Sequence, residues 1–196
     1  MTQMDPKNPI DHFHEWFEDA KKSEPSLPEA MSVATVSKSG QPSSRMVLLK
    51  SADATGFVFY TNTESRKASE IRDNPRASLL FHWKSLQRQV RITGPISEVT
   101  PEEADAYFAS RARGAQIGAW ASQQSRPMAG GLDLEKAVAR FTAKFGIKTI
   151  DRPPFWTGYR VFPEEMEFWS ERRFRLHLRE SYNRDGECWR TELLYP

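Results

Sequence analysis

Most side chains in this sequence with chemistry to offer are cations, hydroxyls and amides at the ends of apolar runs. Arg45 and Lys50 bracket the run RMVLLK, Tyr60 and Thr61 close GFVFYT, and Ser65-Arg66-Lys67 opens a helical stretch. Free backbone N–H groups and the dipole at a helix start favour an anion, so Arg66 and Lys67 suit a phosphate. Gln89 and Arg91 alternate with Val90 and Ile92. Tyr107 and Arg111 stand four apart on one helix face. Gln124-Ser125-Arg126 follows, and Trp169, Arg175, His177 and Arg179 lie near the C-terminus. In a strand, 175, 177 and 179 would share one side. Such groups bind phosphates and planar rings but break few bonds alone. The pattern suits a protein whose hard chemistry belongs to a cofactor.

No self-sufficient catalytic machinery competes with that reading. The HExxH, P-loop, GxGxxG and GxSxG patterns are absent. His12 and His14 are two apart, do not share a helix face, and are expected on a solvated surface. His82, between Phe81 and Trp83, is expected in the core. Cys188 reads as structural within a strand. As the single cysteine it excludes an intrachain disulfide and a cysteine-cluster metal site, and it points to a reducing cytoplasm. No metal is expected. Each cationic pair also has a plainer reading, as edge charges that block aggregation or as a solvated sheet face. Their joint order along the chain carries the weight.

The chain has 196 residues, 38% of them hydrophobic and 12% aromatic, which is enough for one core and too aromatic for a disordered segment. No apolar run approaches the ~18 residues of a membrane helix, and residues 1–16 hold no apolar signal core. The balance of 28 Lys+Arg against 26 Asp+Glu does not by itself suggest nucleic acid, and neither nucleic acid nor membrane is expected as a partner. Local basic clusters in a near-neutral chain suit small anionic ligands.

The elements that must position these residues follow from periodicity and breakers. A helix is expected over 9–22, started by Pro9 and ended by Pro25 and Pro28, with Ile10, Phe13, Phe17 and Ala20 at helical spacing. Strands are expected over 31–36, 45–50, 56–61, 76–83 and 87–99, with a turn at 39–42 and a short helix over 65–72. Thr100 can cap a helix beginning at Pro101. Residues 114–124 are ambiguous because of Gly114 and Gly118, and 132–145 reads as an amphipathic helix. Strands return at 156–162, 165–170, 174–183 and 187–194, with Arg184-Asp185-Gly186 as a hairpin turn. Antiparallel strands with inserted helices suggest a small barrel, since closure removes exposed edges. Residues 1–30 are expected to form an N-terminal helical segment free to move, and 31–196 a single domain.

Five blocks in register make the chain recognisable: RMVLLK (45–50), FYTNTESRKASEI (59–71), RQVRITGPISEV (88–99), YFASRARGAQIGAWASQQS (107–125) and PPFWTGYRVFP…EFWSERRFRLHLR (153–179). Their order and spacing resemble the pyridoxine/pyridoxamine 5'-phosphate oxidases, from about residue 31 to the end. The resemblance implies a mainly β, antiparallel FMN-binding split β-barrel with inserted helices, working as a homodimer with FMN sites at the interface. It implies oxidation of pyridoxine 5'-phosphate or pyridoxamine 5'-phosphate by O2 to pyridoxal 5'-phosphate. Carried over residue by residue, Arg45, Met46, Val47, Leu48, Lys50, Tyr60, Thr61, Arg66, Lys67, Gln89, Gln124, Ser125, Trp169 and Arg179 would contact FMN. Lys50, Tyr107, Arg111, Arg175 and His177 would contact the substrate, with Arg175 and His177 as the catalytic pair.

Three positions depart from the family pattern. Ala115 stands where the family has a serine, Leu178 where it has an acidic residue, and the ending Leu-Leu-Tyr-Pro lacks the family's arginine. These bear on substrate affinity more than on flavin binding. Two other readings stay open: a split barrel acting on a different substrate, and a non-catalytic pyridoxal phosphate binder.

Overall fold

Ten strands and five helices make up the described residues, 8–196, of the computed structural model. In chain order they are α1 (Pro9–Ser23), β1 (Ala30–Val36), β2 (Pro42–Leu48), β3 (Ser51–Asp53), β4 (Gly56–Asn62), α2 (Arg66–Asp73), β5 (Arg76–Trp83), β6 (Arg88–Glu98), α3 (Pro101–Ser110), α4 (Arg113–Ala121), α5 (Asp133–Phe145), β7 (Trp156–Val161), β8 (Glu165–Ser170), β9 (Leu178–Asp185) and β10 (Cys188–Leu194). The part of the expected N-terminal segment that spans 1–7 lies outside the described residues. None of these helices is long and apolar enough to cross a membrane.

Every strand pairing is antiparallel. One path runs β10–β9–β8–β6–β5–β1–β2, while β3 pairs with β4, β4 with β7, and β7 with β6. The long strand β6 therefore serves two layers. Its first half pairs with β8 and its last residues, from Ile96, pair with β7. The change of partner falls just after Gly94. A Cβ there would lie 1.9 Å from the Phe162 carbonyl oxygen, so only glycine admits this approach. The chain passes from β2 through Leu49 and Lys50 into β3, and Lys50 N–H donates to the Val58 carbonyl at 2.8 Å. The strands thus curl into a split barrel with helices inserted between them, the architecture the resemblance implies.

Besides a small cluster of Val58, Val99 and Ala104, two apolar clusters fill this frame. The larger lies inside the barrel, where Met31, Val33, Phe57, Phe59, Leu79, Phe81, Val90, Ile92 and Phe168 are fully buried. Helix α1 plugs it with Phe13, whose ring meets Phe57 at 4.9 Å and Phe81 at 5.1 Å. Asn8 caps that helix by accepting from Ile10 N–H at 3.0 Å. The smaller cluster joins α3, α4 and α5 to the barrel wall through Phe108, Ile117, Ile150 and Trp156. It shapes the site described below. Thr100 accepts from Glu103 N–H at 3.2 Å, as its position before Pro101 predicts.

Several expectations are corrected. The stretch 114–124 forms α4 over 113–121, because Gly114 and Gly118 face open space while Ile117 and Ala121 are buried. The expected strand 174–183 begins only at Leu178, after a one-turn 3-10 segment, Arg173–Arg175. The short strand β3 has no signal in the sequence beyond Asp53. His12 is buried rather than solvated: its ring stacks on Phe168 at 4.0 Å, and Nδ1 lies 3.3 Å from the Tyr182 hydroxyl. His82 is exposed rather than packed, since β5 buries Ala77, Leu79, Phe81 and Trp83 and turns the intervening residues outward. Cys188 is exposed at the start of β10.

Candidate active site

Residues of β2, β4, α2, the α3–α4 corner and β7 line a cleft of about 490 Å³. Its walls are Met46, Val47, Leu48, Lys50, Tyr60, Thr61, Lys67, Tyr107, Arg111, Ala112, Ala115, Gln124 and Trp156. All but Ala112, Ala115 and Trp156 are residues to which the resemblance gives a contact. A smaller hollow of about 340 Å³ shares Tyr60, Arg111, Gln124 and Trp156 with the cleft and runs along Gly118 and Ala119. The cleft walls carry three cations, Lys50, Lys67 and Arg111, and no carboxylate.

Lys67 is the most buried of these three cations. It sits in the first turn of α2, which has no acidic residue, and is only 7% exposed. Its ammonium donates to the Thr61 hydroxyl at 2.8 Å and to the Gln124 carbonyl oxygen at 3.0 Å. Thr61 in turn donates to the same Gln124 oxygen at 2.9 Å. All of these partners are neutral. Burial, and secondarily the Arg45 charge, lowers the Lys67 pKa to about 8. A buried cation with neutral partners at a helix N-terminus is a ready anion site.

Arg111 is a second cation of the wall. It follows the last turn of α3, and its Nη1 is buried without a hydrogen-bond partner. The guanidinium lies over aromatic faces, 4.9 Å from the Trp156 centroid. Burial pulls its pKa below the usual guanidinium range. Tyr60 and Tyr107 stack at 4.0 Å beside it, and Trp156 lies 5.0 Å from Tyr60. Burial, then the Glu103 charge, pushes the Tyr60 hydroxyl up to about 12, so it stays protonated and can donate. Gly158, paired with Tyr60 across β4 and β7, makes room for this ring: a Cβ would lie 2.7 Å from Tyr60 Cε1.

Behind the cleft sits a carboxylate that sequence reasoning did not single out. Glu70 is 4% exposed on the inner face of α2. It accepts from the Thr35 and Ser43 hydroxyls, from Arg45 at 3.2 Å and from Arg66 at 2.8 Å. Burial alone would raise its pKa; these donors outweigh it and hold the carboxyl at about 2. Arg45 therefore points into this cluster and is not a cleft wall. Arg66 stands at the exposed mouth of α2, where its backbone N–H reaches Ser125 Oγ at 3.4 Å. The available signal for Glu70 was its position three residues after Lys67, on the same helix face. Trp156 was likewise missed, although it lies within a quoted block.

The remaining expected residues form a second group. Gln89, Trp169 and Arg179 are cross-strand neighbours on β6, β8 and β9. Arg179 pairs with Glu167 at 2.9 and 3.1 Å. The His177 ring lies 4.6 Å from Trp169, and its Nδ1 accepts from Arg172 N–H at 3.3 Å. In the neutral ring, that leaves Nε2 to carry the proton. Phe174 and Arg175 both adopt left-handed backbone, φ 59° and 60°, which is strained for non-glycine residues. Arg175 is thus not in a strand, and the expected one-sided array of 175, 177 and 179 does not form. None of these five residues lines the cleft of its own chain. Around them Phe174, Leu176, Leu193 and Tyr195 are exposed.

Comparison with known proteins places this arrangement. The profile of the family "Pyridoxamine 5'-phosphate oxidase" matches residues 17–144, and that of the "Pyridoxine 5'-phosphate oxidase C-terminal dimerisation region" matches 156–196. The chain is 52% identical, over all of its length and 99% of the relative's, to a pyridoxine/pyridoxamine 5'-phosphate oxidase of Azorhizobium caulinodans. Among solved structures it is similar to PhzG from Burkholderia lata in complex with tetrahydrophenazine-1-carboxylic acid, with TM-score 0.92, 33% identity, and 98% and 94% of the two chains covered. It shares its fold with a pyridoxamine 5'-phosphate oxidase-related, FMN-binding protein of Nostoc punctiforme, with TM-score 0.77, 17% identity and both chains covered in full. Matched by the family profile over 17–144 and by the dimerisation-region profile over 156–196, the chain belongs to the pyridoxamine 5'-phosphate oxidase family.

Proposed function

We propose that this protein is an FMN-dependent oxidase that converts pyridoxine 5'-phosphate or pyridoxamine 5'-phosphate to pyridoxal 5'-phosphate. The observation that carries the reading, beside the family, is a cleft lined by three cations, Lys50, Lys67 and Arg111, and no carboxylate. FMN and the substrate each bring a phosphate and a planar ring. The donor set fits FMN: Lys67 is a buried cation short of a counter-charge, and Tyr60, Met46, Val47 and Leu48 offer apolar surface to a ring. When bound, FMN would supply the redox chemistry, a two-electron oxidation at the substrate's C4' with O2 as final acceptor and hydrogen peroxide as its product; with the amine, water would hydrolyse the imine and release ammonia.

This chain's residues supply holding and orientation. Lys67, Arg66, Thr61, Gln124 and Ser125 would hold the phosphate side of FMN, and Arg45 would act from the Glu70 cluster. Lys50, Tyr107 and Arg111 would grip the substrate phosphate, fixing C4' and so replacing a bimolecular encounter with a positioned one. Arg175 would cover the pyridine ring, and His177 would orient its substituents through the Nε2 proton.

Gln89, Trp169, Arg175, His177 and Arg179 would complete the site of a second copy. Their absence from their own cleft supports a homodimer with its FMN sites at the interface. So do the exposed apolar side chains beside them and the dimerisation profile over 156–196. We read 31–196 as one flavin-binding domain whose core α1 plugs, and we place the protein in the cytoplasm, where an unpaired Cys188 is stable.

The test is an anaerobic absorbance spectrum of FMN-loaded protein before and after adding pyridoxamine 5'-phosphate. Bleaching of the flavin band with formation of an aldehyde is the expected result. A yellow protein that bleaches with neither vitamer would favour a different substrate for the same barrel, and failure to take up FMN would favour a non-catalytic binder.

A further inference from the structure

We propose that Trp156 is the positioning residue of the substrate-phosphate end of the cleft: its ring face holds the Arg111 guanidinium in place and leaves the charge free for the anion. The inference rests on the reading of Arg111 as a phosphate contact. Arg111 leaves α3 at a pinned corner, where the buried Gln116 of α4 donates to the Phe108 and Ala109 carbonyls at 3.0 and 3.3 Å. Beyond that corner its guanidinium carbon lies 4.9 Å from the Trp156 centroid and 5.7 Å from that of Phe108. Among the described residues no carboxylate pairs with Arg111, and its Nη1 is a buried donor without a partner.

The contrast with the neighbouring arginines gives the physical reason. Arg45 and Arg66 are held by Glu70, which orients them but also offsets part of their charge. An aromatic face attracts a guanidinium through its quadrupole and occupies none of its five N–H donors. Trp156 is itself fixed: it is 6% exposed, lies near-parallel to Tyr60 (13°) and meets Phe108 edge-on at 5.2 Å. Tyr60 carries Tyr107 on its other contact at 4.0 Å. Trp156 also lies parallel to Tyr107 (6°) at 6.1 Å, so one indole contacts Arg111 and both tyrosines.

The experiment uses FMN-loaded protein and two probes, pyridoxal 5'-phosphate and pyridoxal, measured by equilibrium dialysis. Trp156→Leu removes the ring face. Tetrafluorotryptophan placed at 156 keeps the shape and withdraws the electron density, and it serves as the test should the leucine variant not fold. Trp156→Phe restores a smaller face. Affinity for pyridoxal 5'-phosphate relative to pyridoxal, per bound flavin, is expected to fall about ten- to thirtyfold in the first two and to recover in the third. Equal losses for both probes would overturn the inference, since the indole would then only pack the wall. An unchanged affinity in the fluorinated protein would overturn it as well. A wild-type protein indifferent to the phosphate would overturn the reading of Arg111 and this inference with it, a failure visible before any variant is made.

Discussion

Raising the pH through 8 should release FMN, because Lys67 must be charged to hold its phosphate. In the flavin-free protein burial brings this lysine from its ordinary 10.5 to about 8. The flavin phosphate is a dianion above about pH 6. Docked on the ammonium, it favours the charged form and raises the pKa again. Below pH 8 the free protein already carries the proton, so affinity is flat. Above it, the proton must be regained on binding, and the affinity factor falls as 1/(1 + 10^(pH−8)). Between pH 7 and 9 that is about a tenfold loss, or ~1.4 kcal/mol. The depressed pKa has the opposite effect on folding. The unfolded chain binds this proton more tightly than the folded one from about pH 8 to 10.5, so the Lys67 contribution to stability rises there, and release is not unfolding. The assay is quenching of FMN fluorescence by flavin-free protein at pH 7, 8 and 9, with riboflavin as the phosphate-free control. Lys67→Arg, charged throughout this range, should abolish the bend. A flat wild-type profile, a bend that survives in Lys67→Arg, or an equal bend with riboflavin would refute the argument.

Four further perturbations bear on the same site. Glu70→Gln removes a buried charge partner of two arginines and should cost about 3 kcal/mol in denaturant unfolding. Because the carboxyl is held at about 2, its contribution is present above the ordinary 4.5 and lost as pH falls toward 2, so the gap between wild type and variant should close in acid. Gly158→Ala pushes a Cβ against Tyr60 Cε1, and should destabilise by about 1–3 kcal/mol and weaken ligand binding together, read from denaturant midpoints and FMN titration. Ala115→Ser adds a hydroxyl to the cleft wall and should lower KM for a phosphorylated substrate up to about tenfold with kcat unchanged, in steady-state kinetics. Arg175→Ala should lower kcat at least about tenfold with FMN content intact; loss of FMN alone would show that Arg175 serves the cofactor instead.

Much of the barrel was legible because its signals are local. Alternation along 76–83, the helix start at Pro9, the cap at Thr100 and the turn at Gly186 depend on neighbours a few residues away. The errors fall where a local rule met a distant surface. His12 reads as solvated until Phe168 and Tyr182 cover it. Residues 174–177 read as strand until two left-handed residues turn the chain. Glycines 114 and 118 argue against a helix that buried Ile117 and the α5 packing stabilise.

By itself the sequence determined which residue types were present to bind phosphates and rings, in what order, and on which kinds of element. Periodicity and block spacing are properties of the chain, and they suffice for antiparallel strands, inserted helices and the family. Only the tertiary structure decided which of those residues meet. Lys67 and Arg111, forty-four positions apart, face one cleft because β4 and β7 pair and the α3–α4 corner folds over them. Glu70 became the anchor of Arg45 and Arg66 because burial excludes water from its carboxylate and leaves the arginines as its partners. Trp156 came under Arg111 for the same nonlocal reason. Contacts between distant segments are set by how apolar faces close on one another, and no window of sequence contains both sides.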